Sequence, residues 1–166
     1  MVLTVPNLGD TPNALAAGPA ASAAASILSA TFDSTLVNGS GLIPSLSTLA
    51  AADSIDISVV NTYSLMDTIV ADPGAYGFTN VTSPCYTGTY AGSADILDPG
   101  TVCANPNQYL FWDGEHPTAA ANVLVADAAL TAVTPEPSSL FLLGTGLLGL
   151  LALAARSKRH ARPLSW

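Results

Sequence analysis

Apolar positions along this chain come in short groups with clear stops, not in one continuous period. Val2 to Val5 is an apolar run halted by Pro6 and the turn Asn7-Leu8-Gly9, which predicts a buried strand. Pro12 to Ala30 is alanine-rich with Ser22 and Ser26 interspersed. Alanine is the best intrinsic helix former and proline suits the first helical position, so a helix is predicted from about Pro19. Phe32, Leu36 and Leu49 continue apolar faces on either side of the Asn38-Gly39 turn. Ser54 to Val60 alternates polar and apolar residues, a strand signal with one buried face. Leu65, Met66 and Ile69 have helical spacing within Ser64 to Val70, and Asp72-Pro73-Gly74 ends that helix. From Ala75 to Gln108 no period survives and turn formers dominate, so a long loop is predicted. The aromatic run Tyr109-Leu110-Phe111-Trp112 leads into Asp113-Gly114-Glu115-His116-Pro117-Thr118. Pro117 keeps His116 out of the helical region and favours a helix start, predicting a helix from Pro117 through Ala119 to Leu130 with His116 on a loop at its mouth.

The C-terminal pattern is of a different kind. Ala132 to Pro137 breaks any helix, and the residues 138–155 that follow carry no charge and are rich in leucine. Eighteen residues at about 1.5 Å each reach about 27 Å, close to the thickness of a bilayer core. Arg156, Lys158, Arg159 and Arg162 come directly afterwards, which by the positive-inside rule keeps the tail cytoplasmic and puts residues 1–137 on the far side. Three parts are therefore expected: a domain over 1–131, a linker over 132–137, and a transmembrane helix with a basic tail over 138–166.

Charge sharpens the reading. The chain has 4 Lys+Arg and 12 Asp+Glu, and all four bases lie in that tail. A domain without a cation cannot neutralise phosphates, so nucleic-acid binding is excluded. Such an acidic surface suits an exported protein. Cys85 and Cys103 both sit in a stretch dense in Gly, Pro, Asn and Thr, where they read as a disulfide if the compartment is oxidising. No spacing of cysteines or histidines suggests zinc, and no metal or organic cofactor is implied.

Asp113 and His116 are the residues with an evident chemical arrangement. A base working near neutral pH is most easily a histidine, and a carboxylate beside it fixes its tautomer and stabilises the imidazolium. The string Tyr109 to Thr118 closely resembles the last block of SGNH/GDSL-type ester hydrolases, F-W-D-x-x-H-P-T, which holds that family's catalytic Asp and His. Val5 to Pro12, Asn61-Thr62-Tyr63, and Asp72 to Asn80 followed by Cys85 are similar in order to earlier family segments, so the resemblance covers residues 2 to about 130. It implies a partial flavodoxin-like three-layer α/β domain with a mostly parallel sheet, His116 as general base, Asp113 as its orienter, and a carboxylic ester of a lipid or an acylated saccharide as substrate. Pro135-Glu136-Pro137, the leucine-rich span and the basic cluster resemble a PEP-CTERM sorting signal. That implies export in a Gram-negative bacterium, recognition by an exosortase, anchoring in the inner membrane through 138–155, and later transfer to the surface or release.

The departures from the family pattern matter as much. The G-D-S block with its serine, and the glycine and asparagine blocks of the oxyanion hole, are missing. Leu8-Gly9-Asp10-Thr11 does not replace the first, because Pro12 follows at once and the distance to His116 leaves no room for the middle blocks. No signal peptide is visible either, so the chain reads as the C-terminal part of a longer protein. Without nucleophile and oxyanion donors it is expected to be inactive alone. The other reading is a noncatalytic surface or extracellular-matrix protein anchored by its tail.

Overall fold

Side-chain caps start most of the helices, and they are where polar residues interrupt the apolar groups. In the computed structural model, which describes residues 1–41, 44–88, 100–133 and 145–151, Asn7 accepts from the Gly9 amide at 3.1 Å and opens a single 3₁₀ turn, Leu8–Asp10. Thr11 then caps α1 (Pro12–Ala16), its hydroxyl accepting from Ala14 N at 3.3 Å. After Gly18 comes the long helix α2 (Pro19–Asn38), closed by Gly39. Ser45 caps α3 (Leu46–Asp53). Asn61 caps α4 (Thr62–Ala71) by accepting from Ser64 N at 2.9 Å.

Two parallel strand pairs lie among these helices. Strand β1 (Val2–Leu3) pairs with β2 (Val59–Val60) in the register Val2 to Val59 and Leu3 to Val60. Just past them, Thr4 and Thr62 lock together: the Thr62 amide donates to Thr4 Oγ1 at 2.9 Å and the Thr62 hydroxyl donates to the Thr4 carbonyl. Strand β3 (Asn80–Pro84) pairs with β4 (Tyr109–Phe111), with an irregularity between Asn80 and Pro84. Helix α5 (Ala119–Val133) follows. Met66 and Ile69 from α4, Phe78, Leu110 and Phe111 from β4, and Ala121 from α5 form the buried core. Both pairings are parallel and alternate with helices, as an α/β fold requires. Among the described residues they make two separate two-stranded sheets.

Several elements differ from the sequence reading, each for a local reason. The strand expected over Val2 to Val5 stops at Leu3, because Pro6 follows and the Val5 amide donates to Asp33 Oδ1 at 2.8 Å instead of to a strand. The strand expected from Ser54 shrinks to Val59–Val60, since Ser54 takes a left-handed conformation (φ 55°) to close α3. The stretch expected as loop contains β3, held by β4 beside it. Helix α5 begins at Ala119, not Pro117: Pro117 is tied to Phe111 by an isolated antiparallel bridge, and the Thr118 hydroxyl accepts from Ala121 N at 3.3 Å. It also runs to Val133, past the expected break at Ala132.

Helix α2 packs inside out. Ser22, Ser26, Ser29 and Asp33 recur at helical spacing on its inner side. Ser22 donates to the Gly9 carbonyl at 2.8 Å and Ser29 Oγ accepts from Leu8 N at 3.3 Å. Ile27, Leu28 and Phe32 are more than half exposed on the outside. With 20 residues and a mean hydropathy of 1.2, α2 is long and apolar enough to cross a membrane, yet its polar stripe is bonded to the body of the domain.

The chain divides into two units, Met1–Val133 and Thr134–Trp166. In the second, residues 145–151 are helical, with Leu147, Leu148, Leu150 and Leu151 exposed. Pro135, Glu136, Pro137, the basic residues Arg156, Lys158, Arg159 and Arg162, and the remainder of the span expected over 138–155 lie outside the described residues.

Candidate active site

The loop between β4 and α5 is a tight turn built on one carboxylate. Asp113 Oδ1 accepts the backbone amides of Glu115 at 2.8 Å and His116 at 2.7 Å, which curls the chain back so that the imidazole lies over its own anchor. His116 Nδ1 is 3.0 Å from Asp113 Oδ1 and 3.0 Å from Oδ2. With Nδ1 turned to the carboxylate, Nε2 is the ring nitrogen on the side away from Asp113. The His116 side chain is 52% exposed and that of Asp113 11%, so the acid is held inside and the base presented outward.

The carboxylate has the electrostatics of an orienter. Burial, the largest single influence, pushes the Asp113 carboxyl up; the amides of His116 and Glu115 and the His116 ring together outweigh it and hold the group below its ordinary value of 3.8. Asp113 is thus a charged partner for the ring at neutral pH.

Three further contacts fix the turn. Trp112 N donates to the His116 carbonyl at 2.7 Å, closing the loop on itself. Thr118 donates from its hydroxyl to the Tyr109 carbonyl at 2.7 Å and from its amide to the Leu110 carbonyl at 2.9 Å. Across the chain, Asn13 on α1 donates its amide to the Gly114 carbonyl at 2.9 Å and its side chain to Glu115 Oε1 at 3.0 Å. A Cβ on Gly114 would fall 2.1 Å from Asn13 Oδ1, so a larger residue there displaces the Asn13 side chain.

On the other flank, Cys85 and Cys103 form a disulfide across 18 residues. The bridge sits where the chain leaves β3: Cys85 N donates to the Phe111 carbonyl at 3.1 Å and Tyr86 N to the Trp112 carbonyl at 2.6 Å. The Tyr86 and Trp112 rings stack 5.9 Å apart and 10° from parallel. The disulfide therefore braces the strand end that carries Asp113.

A cavity of about 230 Å³ opens beside the pair, lined by Asn13, Gly88, Asp113, Gly114, Glu115 and His116. Of these, Asn13 and Gly88 were not among the residues singled out from sequence. Asn13 lies 101 positions before Gly114 in an alanine-rich stretch that gives no local sign of its role. Thr11, the residue of the G-D-T string, is engaged elsewhere: its hydroxyl donates to the Leu8 carbonyl at 2.7 Å and caps α1. Among the described residues no cluster of three or more His, Cys, Asp or Glu is placed to hold a metal ion.

Comparison with known proteins identifies relatives of both parts. A model of the PEP-CTERM protein-sorting motif matches residues 133–159. Two GDSL esterase/lipases of Arabidopsis thaliana are 40% identical over 74 residues and 44% identical over 70 residues, covering 44% and 42% of this chain. GDSL esterase/lipase APG of the same plant is 37% identical over 79 residues, or 46% of the chain. These alignments are shorter than the resemblance expected over residues 2 to about 130. The matched part spans about a fifth of the relatives' length, 20%, 19% and 22% respectively. The chain thus joins a segment akin to GDSL esterase/lipases to a PEP-CTERM protein-sorting motif.

Proposed function

We propose that the segment Met1–Val133 is the base-bearing part of an exported carboxylic ester hydrolase, in which His116 takes the proton of an attacking hydroxyl and Asp113 orients the ring and stabilises the imidazolium. The observation that carries this reading is the His116 Nδ1 contact at 3.0 Å to both Asp113 oxygens. A base so oriented contributes about 10² to 10⁴-fold to a proton-transfer step, and it needs a nucleophile to act on. The substrate would be an ester of a lipid or an acylated saccharide, and no cofactor takes part. The sorting motif would hand the protein to an exosortase after export, with residues 138–155 holding it in the inner membrane until then.

The 166-residue chain is proposed to be inactive alone, because the described walls of the cavity carry no serine, threonine or cysteine. The same observation favours a second reading, a noncatalytic surface protein held by its tail. One chimera separates the two. The GDSL esterase/lipase that is 40% identical would have its matched 74 residues replaced by those of this chain, and hydrolysis of a short-chain nitrophenyl ester would be followed. Turnover that His116→Ala abolishes supports the hydrolase; a folded chimera without turnover supports the noncatalytic protein. For the unmodified chain the expected rate is that of buffer, and hydrolysis lost on His116→Ala would overturn the proposed inactivity.

A further inference from the structure

A second cavity, away from His116, is built around a carboxylate the mechanism does not use. Asp33 sits on the inner side of α2 and is 9% exposed. Its Oδ1 accepts the Val5 amide at 2.8 Å, two residues past the end of β1. Its Oδ2 is buried and meets no donor. A buried acceptor left unpaired costs about 1–3 kcal/mol, and more for a charged one, so such an atom calls for a partner. Asp33 is one of the residues that line a cavity of about 290 Å³, together with Thr4, Ser34, Val37, Asn61 and Tyr63. Thr4 and Asn61 directly follow β1 and β2, so the cavity lies at the C-terminal ends of two parallel strands, where α/β folds place their ligands.

The chemistry of an occupant follows from charge. Residues 1–155 contain no lysine or arginine, so no such side chain from that part of the chain pairs with Asp33. We propose that this cavity is a binding site for an organic cation bearing N–H donors, a guanidinium or primary ammonium group, which donates to Asp33 Oδ2 while Oδ1 keeps the Val5 amide. Ser34, Asn61 and Tyr63 add polar walls and Val37 and Val59 an apolar one, a mixture that suits a flat polar head on a short carbon stem.

The test is a titration of the isotope-labelled full chain in detergent micelles, read at the amides of Val5, Asp33 and Tyr63. Methylguanidinium is the probe, and tetramethylammonium at equal ionic strength is the control with the same charge and no N–H. Expected is a saturable shift with methylguanidinium and a dissociation constant on the order of 1 mM, as for a fragment of this size, with no saturable shift from tetramethylammonium. Asp33→Asn is expected to weaken binding at least about tenfold. Val37→Phe keeps the carboxylate, fills the cavity and is expected to exclude the probe, which covers the case in which Asp33→Asn does not fold. Equal saturation by tetramethylammonium, binding retained in Val37→Phe or in folded Asp33→Asn, or no saturable response up to about 100 mM would overturn the proposal. A Gly-Arg-Gly peptide run in parallel tells the source: tighter binding than methylguanidinium indicates an arginine side chain of a protein partner, and equal or weaker binding a free small cation.

Discussion

Asp113 carries three acceptor duties with two oxygens, and its titration should be visible in the stability of the fold. A carboxyl held below its ordinary value stabilises the native state while it is ionised. That contribution is complete above the unfolded carboxyl range, about pH 4, and fades as pH falls through the lowered native value. Asp113→Asn keeps an oxygen for the amides of Glu115 and His116 but cannot titrate. It is expected to cost about 1 kcal/mol near neutral pH and to lose less stability than the parent between about pH 5 and pH 3, as urea midpoints would show. Asp10 has the opposite sign. Burial first, and then the nearby Asp67 carboxylate, push its carboxyl up. The fold therefore favours protonated Asp10, and that contribution is lost as pH rises through the raised native value. Asn7 Nδ2 donates to both acids, at 3.1 Å to Asp10 and 2.9 Å to Asp67. Asp67→Asn should bring the Asp10 titration down toward 3.8 in a carbon-detected NMR titration.

At the scale of elements, α2 is seated by its small and polar side. A Cβ on Gly9 would fall 2.0 Å from Ser26 Oγ and 2.4 Å from the Ser22 carbonyl, so the 3₁₀ turn and the helix touch backbone to backbone. Gly9→Ala is expected to push α2 off that seat at a cost of about 1–3 kcal/mol in a denaturant melt. On the outer side, Phe32→Ser should change stability by no more than about 0.5 kcal/mol while raising solubility, because the ring is 56% exposed. This seating explains why α2 itself could be read from the chain and its orientation could not. The alanine background announces the helix, but an apolar stripe normally marks the buried face, and here Ser22, Ser26, Ser29 and Asp33 mark it. Strand β3 was illegible for another reason. Asn80-Val81-Thr82-Ser83-Pro84 has neither alternation nor an apolar run, and it is a strand because β4 lies beside it with Leu110 and Phe111 buried.

For the whole molecule, the Cys85–Cys103 bridge is the long-range brace. Closing a loop of 18 residues should be worth about 3 kcal/mol. The paired replacement Cys85→Ser and Cys103→Ser is expected to lower the unfolding free energy by about that amount. Loosening at Trp112 should show as a loss of near-ultraviolet dichroism from its stack on Tyr86. The candidate site was legible only where its parts are neighbours in the chain. Asp113 and His116 could be paired on paper because three residues separate them. Asn13 could not, because its contact with Glu115 depends on α1 returning to the β4–α5 loop. The compactness of the turn has one last consequence. Two peptide protons, those of Glu115 and His116, share a single oxygen atom, so both must let go when the loop opens. Their common lifetime in heavy water is therefore a clock for how long the imidazole stays in register, and it runs with no ester in the tube.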